Sequence, residues 1–328
     1  MNGTLTDVTG IQVGHVTDSV SGTGCTAIIA IGGATAGVDV RGSAPGTRET
    51  DLLRAHNTVT QIHGICLSGG SAFGLASASG VMRFLEEQGV GHRVGDFLVP
   101  IVPGAIIFDL GVGNGSVRLG DAAGYQAAQK ADSSSVEIGS VGAGTGATVG
   151  KALGRDKAMK GGIGCSSLDL GGGLVLAALS VVNAVGSVHD PSNGSLLAGP
   201  LGPNGQPLSA IDIYGSSRYG AQTFGSDALG NTTIGVVATN ARLQKPQAER
   251  IAALAHDGIA LAVRPAHTLH DGDTYFTMAT GQIDAPDEFP RIIALTPSVV
   301  ADSIANAVRT ATGIHGYHSM KELHDHEQ

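Results

Sequence analysis
The chain has 328 residues, carries 19 Lys and Arg against 28 Asp and Glu, and so holds a net charge of −9 at neutral pH. With no basic run beyond the dilute Lys151–Lys160 stretch, it offers a polyanion no electrostatic footprint, which argues against nucleic acid as a partner. Gly fills 51 positions and aromatics only 4%, yet 42% of residues are hydrophobic, so the expected core is made of small aliphatic side chains on closely approaching backbones.

From the start of the chain, residues 1–20 have neither a basic opening nor an apolar centre, so no secretory signal is expected and the cytoplasm is the expected compartment. No apolar run reaches membrane-spanning length, so no membrane partner is expected. Short β-branched runs at Cys25–Ile31, Gln61–Leu67, Leu174–Val182, Thr233–Thr239 and Thr274–Thr280 read as strands. Several are apolar on both faces, which predicts a sheet covered on both sides. Helices are expected at Ser71–Gln88, Gly120–Ala131, Pro246–Arg264 and Ser298–Ala311. Pro246 suits a first helical turn, and Pro265 a stop. Gly142–Gly173 is the most glycine-dense stretch, and Gly194–Gly230, polar and rich in Gly, Pro and Ser, reads as a long excursion or linker. Cys25, Cys66 and Cys165 are widely spaced among small residues and read as buried thiols. The tail bearing His315, His318, His324 and His326 reads as a solvated terminus.

Three places carry candidate chemistry. At Gly230-Asn-Thr-Thr-Ile234 a flexible region meets the first position of a buried strand. If the Asn231–Thr232 bond breaks, Thr232 gains an α-amine, whose ordinary pKa is about 7.7–8.0, able to take the proton from its own hydroxyl. The same four residues are also an ordinary turn into a strand. At His267-Thr-Leu-His-Asp271-Gly-Asp273 two carboxylates flank a glycine just before a strand. They suit orienting an ammonium, acid and base work, or a hard-cation site with His267 and His270. The pattern matches neither a calcium loop nor a zinc-binding helix, so no metal or cofactor is expected. Lys151 closes a glycine-rich run that lacks the phosphate-loop spacing and suits an oxyanion site or an exposed lysine; Asn183 ends an apolar run, where the residues alone read as a turn ahead of an oxyanion-hole donor. The stretch Leu67–Gly74 suits a glycine-lined wall whose backbone N–H groups meet a ligand or a neighbouring subunit.

The ordered motifs Gly22-Thr-Gly-Cys-Thr26, Leu67-Ser-Gly-Gly-Ser-Ala-Phe-Gly-Leu75, Gly142-Ala-Gly-Thr-Gly-Ala-Thr-Val-Gly-Lys151, Val182-Asn183, Gly230-Asn-Thr-Thr-Ile234 and His270-Asp-Gly-Asp-Thr-Tyr-Phe276 resemble one family across nearly the whole chain. It is the family of self-cleaving aminopeptidases that includes L-aminopeptidase/D-amidase-esterases, β-peptidyl aminopeptidases and nylon-oligomer endo-hydrolases. The resemblance implies an α/β (α+β) fold, a four-layer αββα sandwich related to the N-terminal-nucleophile hydrolases. It implies one catalytic domain over 1–328, cut into an α chain 1–231 and a β chain 232–328, and assembled as a homotetramer. It implies Thr232 as nucleophile, Asn183 as oxyanion donor, Lys151 as a polar contact of the nucleophile, and Asp271 with Asp273 as orienting carboxylates. Thr232 and the Asp pair sit closer to the nylon-hydrolase-like branch, because the other branches typically have Ser as nucleophile and Ser-Gly-Glu at the acidic motif. The expected activity is hydrolysis of a small peptide or amide through an acyl-enzyme on Thr232. Acyl transfer to an amine, as in the related ornithine acetyltransferase, and a non-catalytic small-molecule-binding protein are the alternatives.

Overall fold
A computed structural model describes residues 1–217 and 230–325; the last part of the expected excursion, from 218 to 229, and His326 lie outside the described residues. Among them, nine strands form one continuous ladder: β1 (Gln12–Asp18), β2 (Thr23–Val40), β3 (Thr47–Arg48), β4 (Gln61–Ser68), β5 (Gly104–Ile106), β6 (Gly162–Gly171), β7 (Leu174–Asn183), β8 (Thr232–Ala241) and β9 (Thr274–Ile283). Their spatial order is β6-β7-β8-β9-β2-β4-β5-β3, with β1 also on β2. Pairing is antiparallel except for β8 with β9 and β4 with β5.

The ladder becomes two stacked layers because β2 changes partners along its length. Its first half pairs with β1, and Thr35–Val40 pair with β9. Between them the register against β4 shifts from Ile29 to Ala34, at Gly33 with φ +75°. A bulge of this kind bends a strand and sharpens its twist. Alternate side chains then enter different cores, as the two-residue strand period requires. Ile28, Ile65, Leu179, Val236 and Phe276 meet between the layers. Cys25, Ala27 and Ile29 face the helices α1 (Ser77–Glu87) and α2 (Asp121–Gln129). Leu176, Val237 and Tyr275 face α4 (Lys245–Ala262) and α5 (Phe289–Thr310), and the short helix α3 is Ala210–Gly215. The result is the expected αββα sandwich.

Glycine content follows from this stacking. A Cβ on Gly37 of β2 would lie 2.3 Å from the amide nitrogen of Glu249, and one on Gly164 of β6 would lie 2.2 Å from the carbonyl oxygen of Ser303, so α4 and α5 rest directly on strand backbone. All three cysteines are buried and free, as expected. The helix expected at Ser298–Ala311 begins nine positions earlier, with Pro297 inside it. It is long and apolar enough to cross a membrane by length and composition, but its apolar face, Val299 to Val308, packs on the sheet. The excursion is not featureless either: Leu196–Ala198 is a strand, and Ala210 and Ile213 of α3 are buried beside Ala152.

Candidate active site
Strand directions bring the sequence-predicted residues together. Because β8 and β9 run parallel, with Ile234 opposite Thr274, their N-terminal ends lie at the same edge of the sheet. The Asp271-Gly272-Asp273 turn therefore stands beside Asn231-Thr232-Thr233, and a bridge joins Asn231 to Asp271. Strand β7, antiparallel to β8, finishes at that edge with Asn183 opposite Thr232. Lys151 reaches the same place because the amides of Gly150 and Lys151 bond to the carbonyls of Gly186 and Val185.

Thr232 is the first residue of β8 and is 4% exposed. Its hydroxyl donates to the carbonyl oxygen of Asn231, the residue before it. That oxygen also accepts the amide N–H of Gly272 at 2.9 Å. A Cβ on Gly272 would fall 3.0 Å from the Thr232 hydroxyl and 2.8 Å from the Ala44 carbonyl, so a glycine lets the turn close over the junction. Lys151 donates from Nζ to both the backbone oxygen and Oδ1 of Asn183, at 2.8 and 2.9 Å. The amide of Thr148 also donates to Oδ1, at 3.0 Å. This fixes the side-chain amide of Asn183 so that Nδ2 points to the carbonyls of Gly230, at 3.1 Å, and Phe108, at 3.2 Å.

The two carboxylates hold backbone. Asp273 accepts the Thr233 amide at 2.6 Å on Oδ1, and on Oδ2 it accepts the His267 amide at 3.2 Å and His267 Nδ1 at 2.7 Å. Asp271 accepts the Thr268 amide at 2.6 Å. Burial and the adjacent charge of Asp273 push Asp271 up to about 6, against the Thr268 hydrogen bonds and the charge of Lys151. Burial holds Lys151 well below the usual lysine range; Arg155 adds to this and Asp271 opposes it. For His267, burial disfavours charge, but the bond to Asp273 and its negative charge outweigh burial and raise the pKa.

Thr232, Asn231, Asn183, Lys151, Asp271 and Asp273 thus share one edge. Sequence reasoning missed two contributors. Gly272 was legible only as a turn former, whereas its N–H holds the Asn231 carbonyl. His267 suggested a metal ligand but backs Asp273, and its φ of +56° is a left-handed conformation uncommon outside glycine. Among the described residues no group of three or more His, Cys, Asp or Glu is arranged to hold a metal ion. In the glycine-lined stretch the amides of Gly69, Gly70 and Ser71 go to Gly24, Asp109 and Ile107 of the protein itself, while Ser71 and Ala72 border a cavity at the junction. Two cavities adjoin the junction. One, of about 240 Å³, has Thr232, Ser71, Ile106 and Phe108 in its wall; the other, of about 410 Å³, is mostly apolar, and both touch Asn231 and His270.

The family model of peptidase family S58 matches residues 3–322. The chain belongs to that family. As a member of family S58 it is a hydrolase of peptide or amide bonds. An uncharacterized aminopeptidase of Mycobacterium tuberculosis is 42% identical over 327 residues, covering 93% of this chain and 92% of that protein. The 6-aminohexanoate-oligomer endohydrolase of Paenarthrobacter ureafaciens is 30% identical over 280 residues, 85% of this chain and 76% of the relative. Among solved structures, the L-aminopeptidase D-Ala-esterase/amidase of Ochrobactrum anthropi, described as a variant of the Ntn hydrolase fold, aligns with a TM-score of 0.71 at 19% identity, over 94% of this chain and 86% of that one. A Burkholderia β-aminopeptidase aligns at 0.69 and 21% identity, over 98% and 92%. The S58 chain therefore shares the Ntn hydrolase fold of these proteins.

Proposed function
We propose that this S58 hydrolase cuts its own chain between Asn231 and Thr232 and then uses Thr232 as an N-terminal nucleophile. The observation that carries the reading is the Thr232 hydroxyl lying on the carbonyl it would attack, while the Gly272 N–H already holds that carbonyl's oxygen. In the self-cut, Thr232 Oγ adds to the Asn231 carbonyl carbon, and the developing oxyanion is held by Gly272 N–H. The hydroxyl proton, which already lies on the Asn231 oxygen, ends on the Thr232 nitrogen, which leaves as an amine. The product is an ester between Asn231 and Thr232 Oγ. Water opens it, leaving an Asn231 carboxylate and a free Thr232.

Turnover repeats the chemistry on an external amide. The Thr232 α-amine takes the hydroxyl proton, Oγ forms an ester with the substrate's acyl group, the amine product leaves with the proton, and water releases the acid. After the cut the Gly272 N–H is left to take the substrate's oxyanion as it took that of Asn231, and departure of Gly230 frees one donor of Asn183 Nδ2, held in place by Lys151, as a second donor. Thr232→Ala removes the attacking oxygen. Expected on a denaturing gel is one uncut band with no amide turnover, against two bands for the parent, the smaller beginning at Thr232 by N-terminal sequencing. Amide turnover by Thr232→Ala would sink the reading.

A further inference from the structure
The self-cut also fixes where an acyl group must lie. If Thr232 Oγ attacks the Asn231 carbonyl with its oxygen on Gly272 N–H, the acyl group transferred is residue 231 and the chain before it. A substrate attacked by the same oxygen puts its acyl part where Asn231 and Gly230 sit. Asn231 is in the wall of both cavities, with Gly230 and Thr232 in that of the smaller; the larger, of about 410 Å³, has the volume of a small-molecule site.

The chemistry of that wall selects the occupant. Val185, Ile211, Tyr214, Pro265 and Leu269 supply most of it, and Asn231, Thr268 and His270 are the polar contributors. Among the described residues lining the cavity there is no Asp, Glu, Lys or Arg. Leu269 is 73% exposed and Ile211 48%, so apolar surface at the mouth is in water until something apolar covers it. An α- or β-aminoacyl group would bring an ammonium within a few bonds of the attacked carbonyl, and apolar walls leave such a charge unpaired. Asp271, the neighbouring carboxylate, is engaged by the Thr268 amide and shares its field with Lys151. Its backbone bridges to Asn231, so after cutting it stands beside the new Thr232 amine as well.

Resting on the self-cutting reading, we propose that this cavity is the acyl site and that it takes an uncharged, apolar acyl chain, so that aliphatic amides are preferred over aminoacyl ones. The test uses the purified full chain, with its cut state read on a gel, and hexanoyl-, L-leucyl- and β-alanyl-p-nitroanilide as probes. The expected result is a kcat/KM for the hexanoyl compound higher by about tenfold or more, the order that apolar burial in a pocket supplies. Leu269→Asp, an exposed position at which folding is little taxed, lowers the hexanoyl value by about tenfold and narrows the gap to the leucyl compound. Cut enzyme that prefers the leucyl or β-alanyl compound, that hydrolyses none of the three, or whose hexanoyl rate ignores Leu269→Asp overturns the acyl site. An uncut chain that hydrolyses the hexanoyl compound fastest overturns self-cutting instead and leaves the apolar preference standing.

Discussion

Asn183, Lys151, Asp271 and Asp273 are all hydrogen-bonded within the protein before any substrate arrives, and the geometry is sharp enough to predict at single positions. Asp271 has a folded pKa of about 6, raised from 3.8 chiefly by burial. A raised carboxyl stabilises the fold below its ordinary pKa and loses that contribution as pH climbs through the folded value. In a Thr232→Ala background, the melting-temperature advantage of Asp271→Asn over Asp271 therefore widens between pH 4 and pH 7. A gap that narrows over this range would show the sign to be wrong. His267 gives a second case. The amide nitrogen of Asn overlays imidazole Nδ1, and Asn and Asp both tolerate its left-handed backbone. His267→Asn keeps the donor to Asp273 and is expected to cut and turn over near the parental rate. His267→Asp, the same shape without a donor, is expected to lose roughly 10- to 100-fold in kcat with little change in KM, in line with a charge-assisted hydrogen bond worth about 1.5–3 kcal/mol. Equal behaviour of the two variants in steady-state kinetics would remove His267 from the positioning chain.

At the level of elements, close contact between helix and strand backbones sets what is tolerated and what the sequence reveals. Gly164→Ala drives a methyl against the Ser303 carbonyl and the Ala307 amide of α5, groups that cannot step aside singly. A loss on the order of 3 kcal/mol is expected, read as a lowered denaturation midpoint with unchanged slope. The same contact explains why β6 escaped notice: Gly162 and Gly164 dilute its β-branched content, because α5 leaves no room for side chains there. By contrast Thr232–Ala241 was legible, being β-branched and apolar on both faces, with inner Ile234 and Val236 and outer Val237 each filling a core. The helix was expected only from Ser298, whereas it starts at Phe289 and carries Pro297 inside it. Inside α5 the Thr296 hydroxyl bonds the Ile292 carbonyl at 2.9 Å, and neighbouring side chains are buried. Motif residues of the site were legible because they are chemically distinctive. The contribution of Gly272 was not, since a backbone N–H has no letter of its own.

Over the whole molecule, the proposed cut would divide the chain without dividing the fold. Strands β8 and β9 and helices α4 and α5 come after the junction, yet β8 pairs along its length with β7, and β9 with β2, from before it. The inter-layer core draws on both sides, Leu179 and Ile65 meeting Val236 and Phe276. The two pieces are expected to co-elute on size exclusion in native buffer and to separate only in denaturant. Fragments that part without denaturant would contradict this interleaving.

Most polypeptide ends fray, since nothing pairs with their last residues. An end created at Thr232 would be different, because it would emerge already laced between β7 and β9, with Asp273 gripping the next amide along. Its freedom to wander was surrendered when the sheet formed. Alignment of amine, hydroxyl and target would then require no further ordering at each encounter, and a new terminus in the middle of a sheet would be a rigid tool from the moment it is made.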